Sequence, residues 1–286
     1  MSELIDLVRA ELTAPVDPRA AAMAQAIAAQ YPGSARAVLF YGSCLRESEL
    51  DGLMLDFYLI VSDYGDAYSK RWMAVANRLI PPNVFPFQHG GLIAKYAVLS
   101  EADFDRLNGV GTRNVSVWAR FAQPARLVWA VDDTARDRAV EAVSRAAPTL
   151  LAAAGRIDGE APLDWWRRAF SLTYSVELRA ERTGRAQSVV DADAERYDRF
   201  SLPAIAAIPA DARSGGWARR RLEGKALSIA RLAKASLTYA GGIDYLAWKI
   251  NRHAGTKIEI KPWQRRWPLV AALTLVPRLM KSGAIR

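Results

Sequence analysis

The chain has 286 residues, 51% of them apolar and 24% charged, with a single cysteine, Cys44. That composition describes a folded globular protein with room for more than one domain, and it excludes a disordered chain, a disulfide framework and a cysteine-built zinc site. The net charge is +9, yet residues 217–286 carry 15 Lys/Arg against three acids, which leaves residues 1–216 slightly acidic. A basic C-terminal quarter points to an anionic partner.

The opening "MSELIDLVRAEL" carries acids and lacks an apolar core of signal-peptide type, so neither a secretory signal nor a transit peptide is expected. No run of 18 apolar residues occurs, which argues against a simple membrane-spanning helix. Residues 1–30 read as one or two helices, the second starting at Asp17-Pro18. "ARAVLFYGS" and "LMLDFYLIVS" are short apolar runs bounded by turn residues, as buried strands are. "SKRWMAVANRLI" has helical spacing and stops at Pro81-Pro82. "GGLIAKYAVLS" reads as a third strand, followed by a helix behind Ser100.

Further on, a helix is expected around Val115–Phe121, then the strand-like "ARLVWAV". Residues 134 to about 156 and 163–182 read as helical, and "WARRRLEGKALSIARLAKASL" as a helix with an apolar stripe. The expected architecture is α+β. An α/β domain with a mixed sheet covers 1–133, a helical domain 134–215, and a basic amphipathic region 216–286.

Two features of the first half carry chemistry. Gly42-Ser43 closes the first strand, where a glycine lets the backbone approach a phosphate and the turn amides and Ser43 hydroxyl can bond its oxygens. Asp56 lies inside the next apolar strand, 13 residues beyond Ser43. A charge there is costly unless it belongs to a site, and a strand carboxylate is suited to holding Mg²⁺ against a nucleotide phosphate. Many nucleotidyltransferases carry a second acid two residues later; here that position is Tyr58.

Cys44 reads as a small core residue, and Trp165-Trp166 as core. His89 and His253 have no partner that would make a metal site or a catalytic triad. In the basic quarter, Lys and Arg alternate with Trp, Leu and Val, a mixture suited to an anionic membrane surface more than to nucleic acid.

"FYGSCLR" followed by "LMLDFYLIV" resembles the mitochondrial translocator assembly and maintenance family, peripheral phosphatidate cytidylyltransferases of the nucleotidyltransferase superfamily. Its first block reads YGSG-V and its second roughly M-[LI]-D-[FL] with no second aspartate. "AKYAVLS" is similar to the family's VKYGV-[IV]-S, "VWARFAQPARLV" to its LY-[IV]-AGRLQKPVKI, "SLTYSVELR" to its LSYAGDIR, and "AKASLTYAGG" to its KGI-[FL]-TAG. The matches run from residue 39 to about 250. Cys44 and Ala97 replace family glycines, and Glu177 replaces an aspartate.

The resemblance implies a nucleotidyltransferase fold followed by a helical domain, with a winged-helix-like arrangement among its options. It implies a peripheral enzyme on the cytoplasmic face of a membrane, making CDP-diacylglycerol and pyrophosphate from CTP and phosphatidic acid with Mg²⁺. Asp56 and Glu177 would hold the metal, and Lys95 would act with them in catalysis. Tyr41, Gly42, Ser43, Arg120, Arg126, Tyr174 and Arg179 would line the substrate. An anionic membrane would be the partner, no nucleic acid is expected, and oligomeric state is left open. Transfer to a different lipid phosphate or an RNA end, or a catalytically silent membrane-binding protein, are the alternatives.

Overall fold

The computed structural model describes residues 2–46, 49–176 and 189–238. Two helices lead into the sheet. α1 (Ser2–Leu12) turns Leu4, Val8 and Leu12 inward at helical spacing. α2 (Pro18–Ala28) starts where Asp17 accepts the Arg19 amide at 2.7 Å and Pro18 fills the first helical position.

β1 (Ala35–Tyr41), β2 (Met54–Val61), β3 (Asn83–His89), β4 (Leu92–Ser100) and β5 (Ala125–Ala130) form one mixed sheet, in the order β3-β4-β2-β1-β5. β1 is antiparallel to β2 and β5, β3 is antiparallel to β4, and β2 runs parallel to β4. A parallel pair needs a crossover. Here α3 (Tyr64–Ala67), α4 (Arg71–Leu79) and β3 supply it. β3 is not expected from its sequence, since Pro86 interrupts "NVFPFQH". On the sheet edge the missing N–H is tolerated.

α5 (Glu101–Asn108) begins behind Ser100, whose hydroxyl accepts the Asp103 amide at 3.2 Å. α6 is shorter than the pattern predicts, only Trp118–Phe121. α7 (Asp133–Ser144), α8 (Ala146–Ala154) and α9 (Pro162–Tyr174) follow β5, as the helical spacing predicts. α10 (Ala194–Ala206) falls in a stretch for which no helix is predicted, and α11 spans Trp217–Thr238.

The strands alternate between two cores. Phe40, Phe57, Leu59, Tyr96 and Val98 pack against α2 and the crossover, while Leu39, Tyr58, Ile60 and Leu99 join the core of the helical half. That second core is continuous from Leu4 to Ala204.

One buried charge pair ties this side together. Arg196 of α10 is 4% exposed; its guanidinium pairs with Glu11 of α1 and donates to the Ala122 carbonyl at 3.2 Å. Its Cζ also lies 4.4 Å from the centre of the Phe200 ring. Burial works against the charge, but Glu11 more than offsets it and holds the guanidinium above its usual range.

α11 straps the two halves. Trp217 Nε1 donates to Ala153 O at 3.2 Å, and Arg220 Nη1 donates to the Thr112 and Arg113 carbonyls at 3.1 Å. Gly224 leaves no room for a side chain against Val176 just beyond α9. At its other end Arg231 donates to Pro81 O at 2.8 Å, and Lys234 donates to the Ile80 and Pro82 carbonyls.

Two measurements test these anchors. Glu11→Ala strands the Arg196 charge and should lower the unfolding free energy by about 3–5 kcal/mol in urea titrations; Glu11→Leu with Arg196→Met should lose much less. Burial pushes the Lys234 ammonium down to about 7, with nearby Arg231 adding to the effect. From pH 7 up to the ordinary lysine range the unfolded chain therefore holds a proton that the fold has released. Stability should rise with pH through that window and level off below it, and Lys234→Met should flatten this part of the profile.

Candidate functional site

The site is built on one row across the sheet. Tyr41 of β1 stands opposite Asp56 of β2, Asp56 opposite Lys95 of β4, and Lys95 opposite Pro86 of β3. Residues in register across neighbouring strands share a face. This row therefore faces the same side as Leu39, Tyr58 and Leu99. Lys95 Nζ lies 3.0 Å from Asp56 Oδ1, with side chains 29% and 24% exposed. The contact is an ion pair without hydrogen-bond alignment, so Oδ1, itself buried, accepts no aligned hydrogen bond among the described residues.

Gly42 explains how the backbone reaches this carboxylate. Its φ is +97°, and a Cβ there would stand 3.5 Å from Asp56 Oδ2. The strand then breaks into a 3₁₀ turn, Ser43–Arg46, with Ser43 exposed and Cys44 buried under it. Glycine suits the left-handed backbone, and a Cβ there would only touch the acid at ordinary contact distance.

The Tyr41 phenol sits between two charges. Burial raises its pKa well above the usual value; Asp56 raises it further, while Arg120 opposes with its charge and a hydrogen bond. Tyr41 is thus a neutral hydroxyl between a carboxylate and a guanidinium. Arg120 is held by α6, where its Nη1 donates to the Ser116 carbonyl. Tyr58, at the position two residues beyond Asp56, is 2% exposed and packs against Tyr41 and Phe121, both ring centroids 5.2 Å away. It is floor, not ligand.

The structure thus gathers Tyr41, Gly42, Asp56, Lys95 and Arg120, with Ser43 next along the chain. Arg126 is not in the row. It pairs with Phe40, donates to the Ala125 carbonyl at 2.9 Å, and lies in the field of Glu11, Arg196 and Asp193. Burial lowers its pKa. Tyr174 closes α9 and packs on the core of the helical half. Glu177, Arg179 and the basic stretch 239–286 lie outside the described residues. What the sequence does not reveal is the edge partner Pro86, because β3 itself is not legible there.

Mg²⁺ fits this donor set in one particular way. Among the described residues there is no group of three or more His, Cys, Asp or Glu able to cage a metal. One carboxylate, ion-paired to Lys95 and without an aligned hydrogen bond among the described residues, suits a hard cation that keeps waters and arrives with phosphate oxygens. A separate cleft of about 440 Å³ lies at the other end of β2, lined by Ile60, Ser62, Glu101 and Arg138. It belongs to the junction of α5 and α7, where Arg138 and Arg36 both pair with Glu101. No protein-family model matches the chain, and no curated protein matches it in sequence.

Gly42→Ala and Gly33→Ala separate strain from proximity. Both glycines have positive φ, but among the described residues nothing lies within 4 Å of a Cβ at Gly33. Each substitution should cost about 1–2 kcal/mol of backbone strain. Only Gly42→Ala should change the reactivity of the Asp56 carboxylate towards a water-soluble carbodiimide, read by mass spectrometry.

Proposed function

We propose that the chain is a Mg²⁺-dependent nucleotidyltransferase that uses CTP and phosphatidic acid and releases CDP-diacylglycerol and pyrophosphate. The observation that carries the nucleotidyl-transfer part is the left-handed Gly42 set over the Asp56 carboxylate, with Lys95 and Tyr41 in the same row. The choice of CTP and phosphatidate, the nucleotidyltransferase fold and a winged-helix-like second half draw on the motif resemblance. On this reading a phosphatidate oxygen attacks the α-phosphorus of CTP. A new P–O bond forms there, the bond from the α-phosphorus to the bridging oxygen breaks, and pyrophosphate leaves with that electron pair.

The side chains divide the work. The backbone at Gly42 and the Ser43 hydroxyl would cradle the triphosphate. Asp56, with Glu177 as its proposed second acid, would hold Mg²⁺, which supplies neutralisation of the charge developing on the phosphates. Lys95 would exchange its partner from Asp56 to a phosphate oxygen as the cation arrives. The neutral Tyr41 phenol would donate a hydrogen bond, and Arg120 would present its guanidinium. Tyr174 and Arg179 would line the outer part of the substrate, while Arg126, turned towards Glu11 and Arg196, takes no part in it. Positioning and electrostatics would carry the rate, with no covalent intermediate on the protein.

One observation favours a second reading. Asp56 is already paired with Lys95, and an ion pair of that kind can persist as a structural element in a silent membrane-binding protein. Pyrophosphate release from each of the four NTPs over phosphatidate vesicles with Mg²⁺ distinguishes the two. The proposal expects turnover with CTP and a loss of about 10²–10³ in kcat for Asp56→Asn. Turnover with another nucleotide or acceptor would redirect the substrate assignment. Absence of turnover with every nucleotide would leave the silent reading standing.

A further inference from the structure

The crossover helix α4 carries an apolar stripe on the wrong side for the core. Trp72, Val75 and Leu79 are 46%, 53% and 73% exposed. Their spacing of three and four residues places them on one arc of the helix. The opposite arc already satisfies the fold: Ala74 and Asn77 are buried, and Asn77 Nδ2 donates to the Val98 carbonyl at 2.9 Å. Among the described residues the outward stripe joins neither core, and an exposed contiguous apolar patch marks a contact surface.

We propose that α4 is a membrane-docking element, seating Trp72, Val75 and Leu79 at the headgroup level of an anionic bilayer. Charge complementarity identifies the occupant. Lys70 and Arg71 open the helix and Arg78 closes it, all exposed. Asp63 pairs with Arg78 at 3.2 Å, but among the described residues no carboxylate pairs with Lys70 or Arg71. A tryptophan beside cations and aliphatic side chains on one helix face is the composition of an interfacial helix. Three exposed side chains are also too few for a stable protein interface, which needs about 800 Å² from each partner.

The course of the chain points the same way. Arg231 and Lys234 of α11 are fastened to the carbonyls of Ile80, Pro81 and Pro82, the residues that directly follow Leu79. Beyond Thr238 the sequence continues for 48 residues with nine Lys/Arg, two acids and three tryptophans. The most lipid-like part of the sequence thus begins five residues after Lys234, which is fastened to the residues that follow α4.

The inference stands apart from the catalytic reading, because vesicle binding is measured without nucleotide. The full chain is floated with phosphatidylcholine vesicles with and without a quarter of phosphatidic acid. In parallel, Val75→Cys carries an environment-sensitive fluorophore, with Leu202→Cys, exposed on α10, as the control; the native Cys44 is buried. The probe at 75 is expected to shift to the blue with anionic vesicles only, and the probe at 202 to stay unchanged. Trp72→Ala with Val75→Ser and Leu79→Ser should weaken flotation on the order of tenfold while thermal unfolding stays that of the parent. Flotation of this triple variant equal to the parent, or an unmoved probe at 75 while the protein floats, overturns the proposal. So does an absence of flotation altogether. A parent that dimerises without lipid and a triple variant that does not would assign the stripe to a second copy of the chain.

Discussion

The buried pair of Arg196 with Glu11 is the constraint on which the helical half depends. An arginine so enclosed is tolerable only with its charge matched and its donors used, and here both conditions bring distant segments together. Glu11 comes from the first helix, Arg196 from the tenth, and the Ala122 carbonyl from the end of α6. α6 in turn carries Arg120, which reaches the Tyr41 phenol. A charge pair far from Asp56 in sequence thereby fixes one wall of the candidate site.

The floor of that site is fixed by register. Tyr41, Asp56 and Lys95 face one another because three strands pair without slip at this row. A shift by one residue would turn Asp56 into the core of Phe57 and Leu59, where a carboxylate has no partner. The apolar residues on either side of Asp56 therefore do more than fill space. Their burial on the opposite face holds the acid where Lys95 and Gly42 can meet it.

Much of this is legible in the sequence, and the exceptions have physical causes. β1 and β2 announce themselves as apolar runs closed by Gly42 and Ser62, and the start of α2 is written in Asp17-Pro18. β3 is hidden by Pro86, because only its place at the sheet edge makes that residue acceptable. α6 ends one turn after it begins, as the chain must turn at Pro124 into β5. Asp56 and Gly42 stand out as candidates from residue type alone. Their juxtaposition with Lys95 does not, since a parallel pairing across a crossover leaves no local trace. Arg126 shows the same limit: one register step separates it from the partner of Tyr41, and its surroundings become those of Glu11 and Arg196.

The strap formed by α11 has a consequence for the sheet it crosses. β3 is an edge strand, and α11 packs against it while fastening to the carbonyls just before it. An uncovered strand margin is a template for pairing with another chain. The basic helix thus works as a guard rail as well as a tether. A protein shortened before Trp217 would keep its candidate site residues Tyr41, Asp56 and Lys95, yet lose its shield against strand-to-strand polymerisation.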